Sequence, residues 1–214
     1  MIEELRKRIP GEEFDYQILI DSLKKYERPR DKITSLLRNG IIRVKKGIYV
    51  FGEKYSRQPF SREVLANMIY GPSYISLEYA LHYHGLIPER VEAVTSAACG
   101  RSRKFYTPVG LFIYRMIPLK AYHTGMDQVK LDDGRTFLIA TREKALADKI
   151  YIDRGTGIRT QNDLNSYLLD NLRIDYENLK ALNPDMLQTI AENYRSRKIH
   201  LMSLLVRRMK KRGD

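Results

Sequence analysis

The sequence predicts an α+β protein: an N-terminal winged helix-turn-helix over residues 1–52, then a larger mixed α/β unit over 60–214 with an antiparallel sheet and C-terminal helices. Three observations lead there. Three short helical patterns are followed at once by two β-branched runs about a Lys-Lys-Gly turn. A polar linker, EKYSRQP, closes that stretch at 53–59. Beyond it, helical and strand-like patterns alternate without an internal repeat.

The first helix is expected over 2–9, ended by the turn pair Pro10-Gly11. Asp15 suits the N-cap of a second, with Ile18, Leu19 and Leu23 on its apolar face through to Tyr26. Pro29 suits the first turn of a third, where its missing N–H would have had no partner. Ile33, Leu36 and Leu37 give that helix its core side, and Asn39-Gly40 is its stop. The runs 41–44 and 48–51, joined by Lys45-Lys46-Gly47, read as a hairpin with Gly where positive φ is needed.

In the second unit, helices are expected over 61–69 and over 77–84 with Gly85 as the stop. Strands are expected over 91–95 and 111–118, with a hairpin of 128–131 and 135–139 around Asp132-Asp133-Gly134. Thr141 caps a helix to 151, Thr160 with Asp163 starts another over 164–172, and Asn183-Pro184 opens a final helix or helix pair to about Met209. Leu187, Ile190, Tyr194, Leu201, Leu205 and Met209 form one apolar stripe, expected to close the core.

Charge bears on function. The 214 residues carry 38 Lys+Arg against 26 Asp+Glu, a net +12, which favours a polyanionic partner. Residues 23–52 hold nine Lys/Arg against only Glu27 and Asp31, and the last twenty residues hold eight more, including the cluster Arg207, Arg208, Lys210, Lys211 and Arg212. The start MIEELRKR has no apolar run behind it, and no window approaches the roughly 18 apolar residues a spanning helix needs, so a cytoplasmic protein without membrane contact is expected. One cysteine, Cys99, cannot form an internal disulfide and is expected to be inert.

If the first unit binds DNA, the third helix should present Arg28, Asp31, Ser35 and Arg38, flanked by Arg30, Lys32 and Thr34. Arg30 suits guanine O6/N7; Lys32, Ser35 and Arg38 suit phosphates as well as bases. Asp31 must accept from a cytosine amino group, pair with Arg28 or Lys32, or point away. Arg43, Lys45 and Lys46 on the wing would reach flanking backbone or minor groove, and Arg101, Arg103 and Lys104 form a basic loop that could grip a phosphate or a partner's acidic face but reads better as a solvated turn. The alternative is a protein–protein adaptor whose winged unit docks a partner.

Catalytic patterns are missing. No Asp-x-Asp or Asp-x-Glu pair follows a Gly-Ser turn to hold magnesium for nucleotidyl transfer; Asp175-Tyr-Glu177 opens a helix instead. Asp-x-Lys and Glu-x-Lys, which many nucleases use to bind metal and activate water, do not occur. Glu78, His82 and His84 have helical spacing for metal ligands but read better as polar tips on a half-buried helix. Asp148 lies one turn from Lys144, an i, i+4 ion pair. No enzyme, cofactor or metal site is expected.

Four stretches, LLRNGIIRVKKGIYVFG, SYISLEYALHYHGLIPE, TPVGLFIYRMI and ATREKALADKI, stand in the order and at the spacing of the AbiEi family of antitoxins and transcriptional regulators from type IV toxin–antitoxin systems, which the chain resembles over most of residues 1–150. The resemblance implies a winged helix-turn-helix repressing the protein's own operon at its promoter. It also implies a C-terminal domain that counters a nucleotidyltransferase toxin. Position by position it marks the third helix and wing as the DNA-contacting set, and it supplies no catalytic residue.

Overall fold

The computed structural model describes residues 1–211 and is a mixed α+β protein. Its first part runs α1 (Ile2–Arg8), β1 (Glu13–Asp15), α2 (Tyr16–Ser22), α3 (Pro29–Asn39), β2 (Ile41–Lys45) and β3 (Ile48–Phe51). The strands form an antiparallel sheet in the order β1-β3-β2. Asp15 caps α2 as its spacing predicts, accepting from Ile18 N at 2.8 Å, but α2 ends at Ser22 rather than Tyr26. The strand β1 escapes sequence patterning because it has three residues, two of them acidic. Its carboxylate Glu13 is matched by Arg135 at 2.5 Å.

Two glycines serve different ends. Gly47 has φ +90 in the hairpin turn, a region open to Gly at no steric cost. Gly40, the expected helix stop, has extended φ, and what it supplies is space: a Cβ there would lie 2.8 Å from both Ile2 Cδ1 and Tyr55 Cε2. The hairpin connection is also shorter than expected. Lys45 pairs with Ile48, so the tip is Lys46-Gly47, and a bulge between Arg43 and Lys45 absorbs the extra residue.

The second part follows as α4 (Arg62–Ile69), β4 (Ser73–Ile75), α5 (Leu77–Tyr83), β5 (Val94–Ala98), β6 (Arg103–Thr107), β7 (Gly110–Met116), α6 (Leu119–Tyr122), β8 (Met126–Lys130), β9 (Thr136–Ala140) and α7 (Arg142–Ile152). Next come α8 (Gln161–Ser166), continued by a π turn over Tyr167–Asn171, then α9 (Tyr176–Lys180), α10 (Pro184–Tyr194) and α11 (Arg197–Lys211). The Thr160/Asp163 capping box forms, and Asp175 opens α9 by accepting from Glu177 N at 2.8 Å. The six strands lie in the order β6-β7-β5-β4-β9-β8.

This sheet is mixed, not antiparallel as the sequence predicts: β5 runs parallel to β7, and β4 parallel to β9. Both deviations pass through strands with weak signals. The central β4 is only Ser-Tyr-Ile, and β6 begins inside the basic run 101–104. Among the described residues no helix is long and apolar enough to cross a membrane.

Hydrophobic residues gather in two clusters. One is built from Leu5, Phe14, Leu19, Leu36, Tyr49 and Phe51. The other fills the second part, and Val44, Ile48 and Val50 of the hairpin belong to it. Alternation along β3 therefore sends Tyr49 and Phe51 to one core and Ile48 and Val50 to the other, as the period of two in a strand requires.

The larger core has a polar centre. Asp148 and Lys144 pair at 3.0 Å on α7, as their spacing predicts, but both side chains are 0% exposed. Asp148 also accepts from Tyr74 OH at 2.8 Å, Ser76 Oγ at 2.6 Å and Tyr194 OH at 2.5 Å. Lys144 donates to Ala121 O at 2.6 Å and to Tyr194 OH at 3.1 Å. Burial outweighs the attraction of Asp148 and holds the Lys144 ammonium below the usual lysine value. Burial first, then the Asp148 charge, raises Tyr74 and Tyr194 well above an ordinary tyrosine.

Asp148→Asn would leave the Lys144 charge buried without a counterion and is expected to cost about 3–5 kcal/mol in urea unfolding. Lys144→Met combined with Asp148→Asn should recover part of it. Tyr74, Tyr114, Tyr167 and Tyr194 all have raised folded pKa values. Their contribution is complete below the unfolded tyrosine value of about 10 and is lost as pH rises above it. Lys144, being depressed, acts with the opposite sign but is one group against these four and the likewise raised Tyr79 and Tyr122. The urea midpoint should therefore fall between about pH 9 and about pH 11, with tyrosinate absorbance from these rings appearing only on unfolding.

Candidate nucleic-acid interface

The helix α3 is held by its apolar side: Ile33 and Leu36 are buried and Leu37 half-buried. Pro29 occupies its first turn, and Gly40 N donates to Leu36 O at 2.9 Å to close the last. Eleven residues make a rod about 16 Å long at 1.5 Å per residue. Its outward row is Arg30, Asp31, Thr34 and Arg38, all exposed, with Arg28 exposed at the N-cap.

The spacing argument is shifted slightly by the structure. Ser35, expected on the outward face, is half-buried, and its carbonyl accepts from Asn39 Nδ2 at 3.1 Å. Lys32 is half-buried too, lying 5.3 Å from the Tyr26 ring centroid. Asp31 is exposed and pairs with neither Arg28 nor Lys32, so of the three alternatives for it, pairing is the one set aside.

On the hairpin, Arg43 and Lys46 are exposed, but Lys45 is turned inward. Its Nζ donates to Ile69 O at 2.7 Å and lies 4.5 Å from the Phe105 ring centroid. Lys45 thus joins the hairpin to α4 and β6 and is drawn away from the phosphate-contacting role its sequence position suggests. The physical cause is the bulge before it, which lengthens β2 through Lys45 and leaves only Lys46 at the tip.

The second candidate stretch is also reassigned. Arg101 is in a loop, but Arg103 and Lys104 belong to the edge strand β6. All three are exposed. Charged residues are common on edge strands, where they discourage pairing with another chain. The contact from Lys45 to Phe105 places this basic strand beside the hairpin.

Electrostatics separate two sorts of cation. Arg6, Lys25, Arg135, Lys144, Lys149, Arg173 and Arg207 are all committed to carboxylates. Among the described residues, Arg28, Arg30, Arg38, Arg43 and Lys46 enter no ion pair or side-chain hydrogen bond and are exposed. The C-terminal basic run is partly committed: Arg207 pairs with Asp185 at 2.7 Å, and Lys198 donates to Asp153 O at 2.9 Å. Arg212 lies outside the described residues.

The remaining candidates are explained by packing. His84 Nε2 donates to Ala140 O at 2.7 Å, Glu78 pairs with Lys149 at 2.8 Å, and His82 is exposed. Among the described residues no three His, Cys, Asp or Glu side chains converge as a metal site. Burial pushes the Cys99 thiol up, away from the reactive thiolate. The Asp148 network is the feature sequence reasoning sees only in part: the i, i+4 spacing gives the pair, but its tyrosine partners lie 74 and 46 residues away.

No protein-family model matches the chain. No curated protein matches it either.

Lys45→Ala should cost about 1–2 kcal/mol in urea unfolding through the lost hydrogen bond and ring contact, whereas Lys46→Ala should stay within about 0.5 kcal/mol. Equal effects on stability would contradict the inward placement of Lys45.

Proposed function

We propose that the chain is a non-enzymatic regulator that binds double-stranded DNA at its own promoter through α3 and the hairpin. In this reading α1, α2, α3 and the three-stranded sheet are a winged helix-turn-helix, with α3 as recognition helix and β2–β3 as wing. The observation carrying it is the segregation of charge. Among the described residues, five cations on α3 and the wing are left exposed and unpaired, while Arg6, Arg135, Lys144 and Lys149, buried or half-buried, are each held by carboxylates. A rod about 16 Å long with one basic, polar side suits a major groove about 12 Å wide.

Arg30 sits near the start of α3, where recognition helices contact base edges. Thr34 and Arg38 continue the row, and Arg43 and Lys46 hold flanking phosphates. Arg103, on the Phe105 side of β6, extends the basic surface beyond the wing. The antitoxin role, countering a nucleotidyltransferase toxin, rests on the AbiEi resemblance and on no feature of the geometry.

In mobility-shift titrations on the upstream region, about five phosphate-neutralising cations predict an affinity loss of several hundred-fold between about 50 and 200 mM salt. Lys46→Ala should weaken all sequences alike and reduce the salt slope by about 1. Arg30→Ala should cost about 1–3 kcal/mol on the preferred sequence and relax discrimination at one position. Absence of a shift at low salt would end this reading.

A further inference from the structure

The six-stranded sheet is covered unevenly. On the side where Tyr74 reaches Asp148, α7 lies against β9, with α5 and α10 packed on α7, but the β6–β7 edge is bare. The register places Lys104 opposite Ile113 and Tyr106 opposite Leu111, while Ile113 and Arg115 lie beside Thr95 and Ala97. Lys104, Tyr106, Leu111, Ile113 and Arg115 therefore share one face. Tyr106 is 81% exposed, Leu111 and Ile113 are half-buried, and Lys104 and Arg115 are exposed. The opposite face of β7 carries the buried Phe112 and Tyr114.

The C-terminal end of α7 stands beside this face as a wall. Two clefts flank Ile152: one of about 290 Å³ lined by Thr95, Ile113 and Arg115, the other of about 480 Å³ lined by Met116, Leu119, Tyr151 and Arg154. Leu119 is 68% exposed. The carboxylates bordering the face are already matched, Glu78 and Asp153 to Lys149 and Glu92 to Arg90. Lys104, Arg115 and Arg154 are left as a positive rim around an apolar, aromatic floor.

We propose that this face binds single-stranded DNA, a base stacking on Tyr106 against Leu111 and Ile113 while Lys104, Arg115 and Arg154 hold the phosphates. An exposed ring beside apolar side chains favours an unpaired strand, because a duplex keeps its base faces inside and would offer the floor only phosphate. The two carboxylates of the smaller cleft, Glu78 and Asp153, are engaged by Lys149 rather than free for a 2′-hydroxyl, which favours DNA over RNA. The site is separate from α3 and does not depend on duplex binding there.

The test is fluorescence anisotropy with a labelled oligo-dT of about 12 nucleotides, within the span such surfaces hold. Tyr106→Ala and Arg115→Ala are each expected to weaken it about tenfold or more, with unchanged thermal midpoints. Arg38→Ala should leave oligo-dT binding intact while weakening a promoter duplex, so failure of one reading is distinguishable from failure of the other. Three results would overturn the proposal: oligo-dT binding insensitive to both face variants, equal or tighter binding of oligo-U of the same length, or self-association that Tyr106→Ala abolishes without change in oligo-dT affinity.

Discussion

One carboxylate organises the second part of the molecule. Asp148 receives hydrogen bonds from β4, from the residue before α5 and from α10, and an ammonium from its own helix. A buried charge is tolerable only when paired and hydrogen-bonded. The sheet and three helices are therefore fixed relative to a single point. Apolar packing among the same elements would hold them together; the four converging donors also specify their register, since a shift of any one leaves the buried carboxylate short of a partner.

The hairpin depends on that frame in turn. Its inner side chains complete the small core with α1, α2 and α3, and Val44, Ile48 and Val50 enter the larger one. Lys45 adds a polar tether to Ile69 O. What remains outward on the hairpin is Arg43 and Lys46, so packing has selected which basic residues face solvent.

The order of helices and hairpin in the first fifty residues was legible because each carries its own signal: Asp15 as cap, Pro29 at a first turn, Gly47 in the turn. The helices α4, α5, α7, α8, α10 and α11 were legible for like reasons. The strands β1, β4 and β6 were not, because a three-residue strand with Phe14 between two acidic residues, a buried tripeptide and a basic edge are too short or too charged to show alternation. On α3, Arg28, Asp31 and Arg38 are exposed as the spacing predicts, whereas Ser35 and the flanking Lys32 are half-buried and Arg30 and Thr34 join the outward row. Lys45 could not be placed from local pattern, since its partners lie in α4 and β6, and the same limit hid the tyrosines around Asp148.

A hairpin with an apolar residue toward each of two cores also bears on modularity. The chain divides by sequence at a polar linker, yet a cut there would strip the cover from Val44, Ile48 and Val50 and leave a sticky strip on the smaller piece. Exchange of the first fifty residues between relatives would have to bring matching α4 and β6 surfaces with it. The two parts can diverge in what they bind only while that shared seam stays constant, so selection on either is felt by the other.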